Sequence, residues 1–179
     1  MQFHIETERL LLREFRPTDA ADLFRMDSDP RVFRYLNKKI NSNIEEAQDY
    51  IKTTIAEYEQ YRIGRWVVIE KSSGKFVGWS GLRYRTEVRN NFAEYHDVGY
   101  RLMPEYWGKG YATESAKAAI DHGFRNMKLE KIIGVCHEEN IASRRALEKS
   151  GLTFKLKFPL DGLTCDWLEI TREEWESFS

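Results

Sequence analysis

Residues Asp97 to Met127 read DVGYRLM, PEYWGKGYAT and ESAKAAIDHGFRNM in unbroken succession, and this stretch decides the fold. Val98, Tyr100 and Leu102 alternate with Asp97, Gly99, Arg101 and Met103, the period of two expected of a strand with one buried face. Pro104 ends that ladder, since it has no N–H to donate. Beyond the glycines, Ala112, Ala116, Ala119, Ile120, Gly123, Phe124 and Met127 recur at steps of three and four, which predicts a helix with one continuous apolar stripe. The unit is strand, glycine loop, helix.

Gly108 and Gly110 flank Lys109 at the entry to that helix, so main-chain N–H groups can lie open there with no side chains over them. A helix N-terminus carries about half a positive charge, which makes a diphosphate a natural occupant. A nucleoside triphosphatase loop needs G-x-x-x-x-G-K-[ST], and the chain has no such string. A dinucleotide fingerprint needs a third small residue, where this chain has Thr113.

The segment Trp107-Gly108-Lys109-Gly110-Tyr111-Ala112 resembles the coenzyme A pyrophosphate loop of the GNAT superfamily of N-acyltransferases, [QR]-x-x-G-x-[GA]. Trp107 stands at the usual Gln/Arg position, a departure similar to the branch containing the ribosomal-protein N-terminal acetyltransferases. A second segment, Glu139 to Leu152 (ENIASRRALEKSGL), resembles the family's N-x-x-S…K-x-G-[FL] motif at the expected separation.

Composition bounds the alternatives. The 179 residues fit one domain, taken as 1–179, with enough chain for a substantial core. Lys plus Arg number 28 against 29 Asp plus Glu, a net charge of −1, so no global field draws in nucleic acid or an anionic membrane. The start MQFHIETERL has no apolar leader core and no apolar run approaches a membrane span, so a cytoplasmic protein is expected. Cys136 and Cys165 cannot form a disulfide framework or a four-ligand zinc site by themselves, and no metal is expected.

In chain order, Thr7 to Phe15 is expected as a strand, followed by a turn into a helix capped by Thr18 or Asp19. Val32 to Leu36 is expected as a short helix. Ser42-Asn43-Ile44-Glu45 has the form of a capping box ahead of a helix striped by Ile44, Ala47, Ile51, Ile55 and Tyr58. Arg65 to Lys71 and Phe76 to Arg85 form a hairpin, and Thr86 to Asn91 a loop. Lys131 to His137 is the next strand, reached from the central one by a parallel crossover. Asn140 to Ser150 is a helix ended by Gly151. Lys155 to Pro159 and Cys165 to Thr171 close the sheet as a second hairpin, with Trp175 on a short tail. The expected class is α/β with a mixed, mostly antiparallel sheet and helices on both faces.

That order matches the GNAT acyl-CoA N-acyltransferase fold, in which two parallel strands splay apart and admit the cofactor's pantetheine arm. The resemblance implies Asp97 to Met103 and Lys131 to His137 as those strands. It implies acetyl-CoA as co-substrate, held by Trp107, Gly108, Lys109, Gly110, Tyr111, Ala112 and Thr113, with Asn140 and Ser143 on the pantetheine side. Asn140 also fits an ordinary helix N-cap. The carbonyl oxygen, which gains charge during attack, is expected to meet the N–H of Leu102 or Met103.

Asp97 aligns with the acidic residue that serves as base in several relatives, working here through a water; Glu94 and His96 are rivals, and pairing with an arginine is the alternative. The helix from Asn140 to Gly151 lacks the tyrosine that many relatives use to protonate the thiolate. Ser143 is the expected donor, with His137 as the other choice. The implied activity is acetyl transfer to a primary amine, a small molecule or a protein N-terminus, by a monomer or homodimer. A CoA-binding protein without catalysis is the reading from a different class.

Overall fold

The computed structural model describes residues 4–178, so the first three residues of the start expected to lack a leader core lie outside the described residues. Its strands are β1 (His4–Glu6), β2 (Leu10–Arg13), β3 (Arg65–Glu70), β4 (Phe76–Arg85), β5 (Tyr95–Leu102), β6 (Lys131–His137), β7 (Thr153–Leu160) and β8 (Leu163–Thr171). Its helices are α1 (Ala20–Asp27), α2 (Ile44–Tyr61), α3 (Tyr111–Arg125), α4 (Ile141–Lys149) and α5 (Arg172–Phe178). The strands form one sheet in the order β1-β2-β3-β4-β5-β6-β8-β7. All neighbours are antiparallel except β5 and β6, joined through α3 by the crossover the glycine stretch predicts.

Alternation along β4 assigns the helices to faces. Leu82 points toward α3, lying against Gly123, while Trp79 stacks on Tyr50 of α2 and Arg83 pairs with Glu57 of α2. α3 and α4 therefore cover one face and α1 and α2 the other. The α3 stripe holds as expected: Ala116, Ala119, Ile120 and Phe124 are buried against Leu82, Val98 and Ile132.

Four expectations are corrected. Thr7 to Phe15 is not one strand, because the chain turns at Thr7, whose N–H and hydroxyl both donate to the Leu10 carbonyl, and only Leu10–Arg13 continues the sheet. Val32 to Leu36 forms successive turns rather than a helix, with Leu36 N–H donating to the Phe33 carbonyl. The N-cap of α2 is Asn43, one residue later than the capping box implies, and its side chain accepts from Glu46 N–H. Trp175 sits on α5, its ring stacked on Phe124.

Candidate active site

β5 and β6 pair only at Asp97 with Ile133 and Val98 with Gly134, so beyond Val98 the two strands separate. Met103 N–H donates to the Val77 carbonyl at 2.9 Å, which turns that N–H toward β4 in continuation of the β4–β5 ladder. By alternation Leu102, two registers from Tyr100, turns its N–H to the β6 side, into the gap. Of the two oxyanion donors expected from the sequence, Met103 is thus committed to β4 and Leu102 is the one the register leaves available. The Leu102 carbonyl accepts from Trp107 Nε1 at 2.8 Å, folding the half-exposed indole back over the end of β5.

The glycine loop enters α3 through two left-handed residues, Gly108 (φ 74) and Gly110 (φ 81). Gly110 is the N-cap and has no side chain to offer, and the first helical bond runs from Glu114 N–H to its carbonyl at 3.0 Å. The N–H groups of Tyr111, Ala112 and Thr113 are left without a helical partner. Arg9 holds the loop from the β1–β2 side: it donates to the Lys109 carbonyl at 2.9 Å, pairs with Glu114 at 2.6 Å and lies 4.7 Å from the Tyr111 ring centre. Tyr111 donates to Glu70 at 2.6 Å, and the exposed Lys109 ammonium lies 5.0 Å from the centre of the Tyr106 ring. These open amides and bare glycines fit an anionic diphosphate.

On the β6 side, Asn140 Oδ1 accepts from Ser143 N–H at 3.1 Å, so the helix-cap role is present and the amide NH2 remains for a ligand. Tyr100 crosses from β5 and donates to the Ser143 carbonyl at 2.8 Å, with Ser143 Oγ at 3.2 Å. Burial pushes the Tyr100 phenol well above its ordinary value, against a smaller opposing effect of the Ser143 contact. α4 itself holds no tyrosine, and this one, 43 residues away in the chain, carries no local signal of its place beside Ser143.

Asp97 is buried and doubly paired. Arg65 contacts Oδ2 at 3.0 Å, and Arg85 contacts Oδ1 at 3.1 Å and Oδ2 at 3.2 Å. Burial pushes this carboxyl up, but the Arg65 and Arg85 guanidinium groups outweigh it and hold it below its ordinary value. The arginine-paired alternative is what the structure contains. The His96 ring packs at a tilt against Tyr84, 5.1 Å between centres, and burial lowers its pKa, while Glu94 is exposed. His137 Nδ1 accepts from Glu139 N–H at 3.1 Å, a bond that leaves the neutral ring's proton on Nε2.

The segment after α1 arches over the gap on the α1–α2 face. Phe33 lies under the Arg101 guanidinium at 4.8 Å, Tyr35 packs on His137 at 5.6 Å, and Asn37 donates to the Asp161 carbonyl in the β7–β8 turn at 2.6 Å. Three alternate residues therefore land in turn on β5, β6 and the closing hairpin. Only the Phe and Tyr of this strap carry a sequence signal, and neither position announces its partner. Two surface grooves, one beside α3 lined by Thr7, Glu114 and His122 and one along α2 lined by Pro17, Gln48 and Ile51, lie away from the gap. Among the described residues, no group of three or more His, Cys, Asp or Glu could hold a metal, and no helix is long and apolar enough to cross a membrane.

The profile of the acetyltransferase (GNAT) domain matches residues 9–153. The uncharacterized N-acetyltransferase YoaA of Bacillus subtilis is 32% identical over 147 residues, covering 82% of this chain and 81% of that protein. The uncharacterized N-acetyltransferase YnaD of the same organism is 30% identical over 179 residues, covering 96% and 99%. Among solved structures, a GNAT-family acetyltransferase from Bacillus anthracis superposes with a TM-score of 0.80 at 26% identity, covering 96% of this chain and 99% of that one.

Proposed function

Since the chain belongs to the acetyltransferase (GNAT) family and is an acetyl-CoA-dependent N-acyltransferase, we propose that its acceptor is an α-amine, such as a protein N-terminus, attacked directly in a ternary complex. The observation that carries this reading is Asp97, buried with both oxygens on Arg65 and Arg85, while the uncapped amides at Tyr111, Ala112 and Thr113 support the coenzyme's place. Acetyl-CoA, when bound, supplies the activated acetyl group.

The chain's own residues then have distinct tasks. Gly108 to Thr113 receive the diphosphate, with Lys109 adding a cation at the rim. Trp107 and Ile141, both exposed, flank the gap at the ends of β5 and β6, and the Asn140 amide faces the pantetheine. Leu102 N–H stabilises the acetyl oxygen as it gains charge. Ser143, backed by Tyr100, gives a hydrogen bond to the departing sulfur. Holding both reactants in line supplies roughly 7–11 kcal/mol of the barrier reduction.

Asp97 acts by positioning: with both oxygens on arginines and its pKa depressed, it holds β4 and β5 in register rather than taking a proton. An acceptor with an ordinary pKa of about 7.7–8.0 is already roughly a tenth neutral at pH 7, whereas a lysine amine is not. An α-amine therefore suits a site whose buried carboxylate is already spent. Ribosomal-protein-S5-alanine acetyltransferase of Vibrio fischeri shares the fold at a TM-score of 0.78. A second reading, a small-molecule amine, is favoured by the 28% identity over 145 residues to spermidine N(1)-acetyltransferase of Escherichia coli.

The test is thiol release from acetyl-CoA with N-terminal peptides, amino acids and polyamines. Turnover on α-amines supports the proposal; turnover confined to polyamines replaces it with the second reading.

A further inference from the structure

Around the gap on the α1–α2 face stand five cations, Lys38, Arg65, Arg85, Arg89 and Arg101, and four acids, Asp27, Glu87, Asp97 and Asp161. Three of the acids are already engaged. Asp97 carries Arg65 and Arg85, Asp27 carries Arg101 at 2.9 Å, and Glu87 carries Arg85 at 3.2 Å and Arg89 at 3.5 Å. Asp161 is exposed at the hairpin tip beneath the strap.

What remains unengaged is a set of donors. Lys38, next to the strap residue Asn37, has no carboxylate within ion-pair distance among the described residues. The Tyr95 hydroxyl and Arg89 Nε are both buried without an acceptor. Tyr95 and Arg85 are a register pair at the end of the β4–β5 ladder, which places these donors beside Asp97. Burial, and then the positive charges of Arg101, Arg85 and Arg89, lower the Lys38 pKa, while Asp161 draws the other way. A positive potential with unsatisfied donors invites an anion and repels further ammonium groups.

We propose that the acceptor amine carries a carboxylate near its nitrogen, received by Lys38 and by the free donors of Tyr95 and Arg89. A peptide N-terminus followed by an acidic side chain supplies that chemistry on an amine of the low pKa the reading uses; a free amino acid supplies the carboxylate on a more basic amine. The inference rests on the α-amine reading above, with the acceptor entering beneath the strap. A polyamine is disfavoured on this face, because its remaining ammonium groups meet no unpaired buried acid.

The experiment compares matched acceptors in the thiol-release assay: alanine against alaninamide, a peptide beginning Ala-Asp against one beginning Ala-Lys, and spermidine. The expected result, with each acceptor's concentration counted as its neutral amine, is a kcat/KM about tenfold or more higher for the carboxylate-bearing member of a pair. Which pair shows the preference separates the free amino acid from the peptide. Lys38→Met is expected to raise KM for that acceptor about tenfold more than for its neutral counterpart, with Lys38→Arg restoring it. Lys38 is exposed by surface area although its ammonium is partly desolvated, and it holds no ion pair among the described residues, so the variant folds, and circular dichroism verifies this. Equal or better turnover of alaninamide, Ala-Lys or spermidine on that neutral-amine basis overturns the inference and leaves the transferase reading intact. Coenzyme binding with no turnover on any acceptor overturns the α-amine reading and this inference with it.

Discussion

The Tyr100 hydroxyl reaches across the gap between β5 and β6 to the first turn of α4, 2.8 Å from the Ser143 carbonyl and 3.2 Å from Ser143 Oγ. A phenol held above its ordinary pKa keeps its proton throughout the neutral range and can return one to a serine that has just donated. Ser143→Ala and Tyr100→Phe are each expected to lower kcat by about tenfold to a hundredfold, with the coenzyme Kd changed much less. If the hydroxyls act as a unit, the double variant is little slower than the worse single one. Single-turnover kinetics with calorimetry checks this, and an unaltered rate for Ser143→Ala removes it from the mechanism.

Gly110→Glu is expected to weaken coenzyme A binding by about tenfold or more, since it sets a carboxylate against the site of a diphosphate. A Cβ there also sits 3.4 Å from the Arg9 guanidinium, in a left-handed backbone. Gly108→Ala separates the two causes: its Cβ meets nothing within 4 Å, so only a backbone cost of roughly 1–2 kcal/mol remains. Calorimetric titration of both folded variants gives the comparison, and full affinity in Gly110→Glu would refute the loop assignment.

Asp97→Asn is expected to destabilise the fold by about 3–5 kcal/mol at pH 7, because it strands the buried Arg65 without a carboxylate and leaves Arg85 only Glu87. The wild-type carboxyl titrates below its unfolded value of about 3.9, so its contribution is complete above that pH and fades as pH falls through the lower folded pKa. Urea unfolding at pH 7 and near pH 3 should therefore show the wild-type advantage shrinking in acid. An advantage that grows in acid would contradict the pairing.

Gly99→Ala is expected to cost about 1–3 kcal/mol through overpacking. A Cβ at position 99 comes within 2.7 Å of Arg65 Nη2, and that guanidinium is pinned by the Gly81 carbonyl and Asp97, so it has little room to yield. Equilibrium unfolding measures the loss.

What could be seen in the chain beforehand was what is local. The alternation of β5, the apolar stripe of α3, the glycine entry and the Asp161-Gly162 turn each announce themselves within a few residues. Long-range pairings do not. Nothing in Leu163 to Thr171 indicates that it inserts beside β6 and leaves β7 at the edge. Val32 to Leu36 is expected as a helix from the sequence, yet tertiary anchors of this strap at Arg101, His137 and Asp161 hold it in turns and bends. Asp97 illustrates the same limit: its position on the strand was legible, but the two arginines that occupy it come from β3 and the far end of β4.

Arg9 ties the first hairpin to a carbonyl a hundred positions downstream. Coenzyme affinity is therefore mechanically answerable to residues 7–10: an affinity tag, a truncation or a crosslink that disturbs them will register as a weakened grip at Gly110. Engineers who append sequence to this protein should expect the opposite terminus to be the more forgiving one for that measurement.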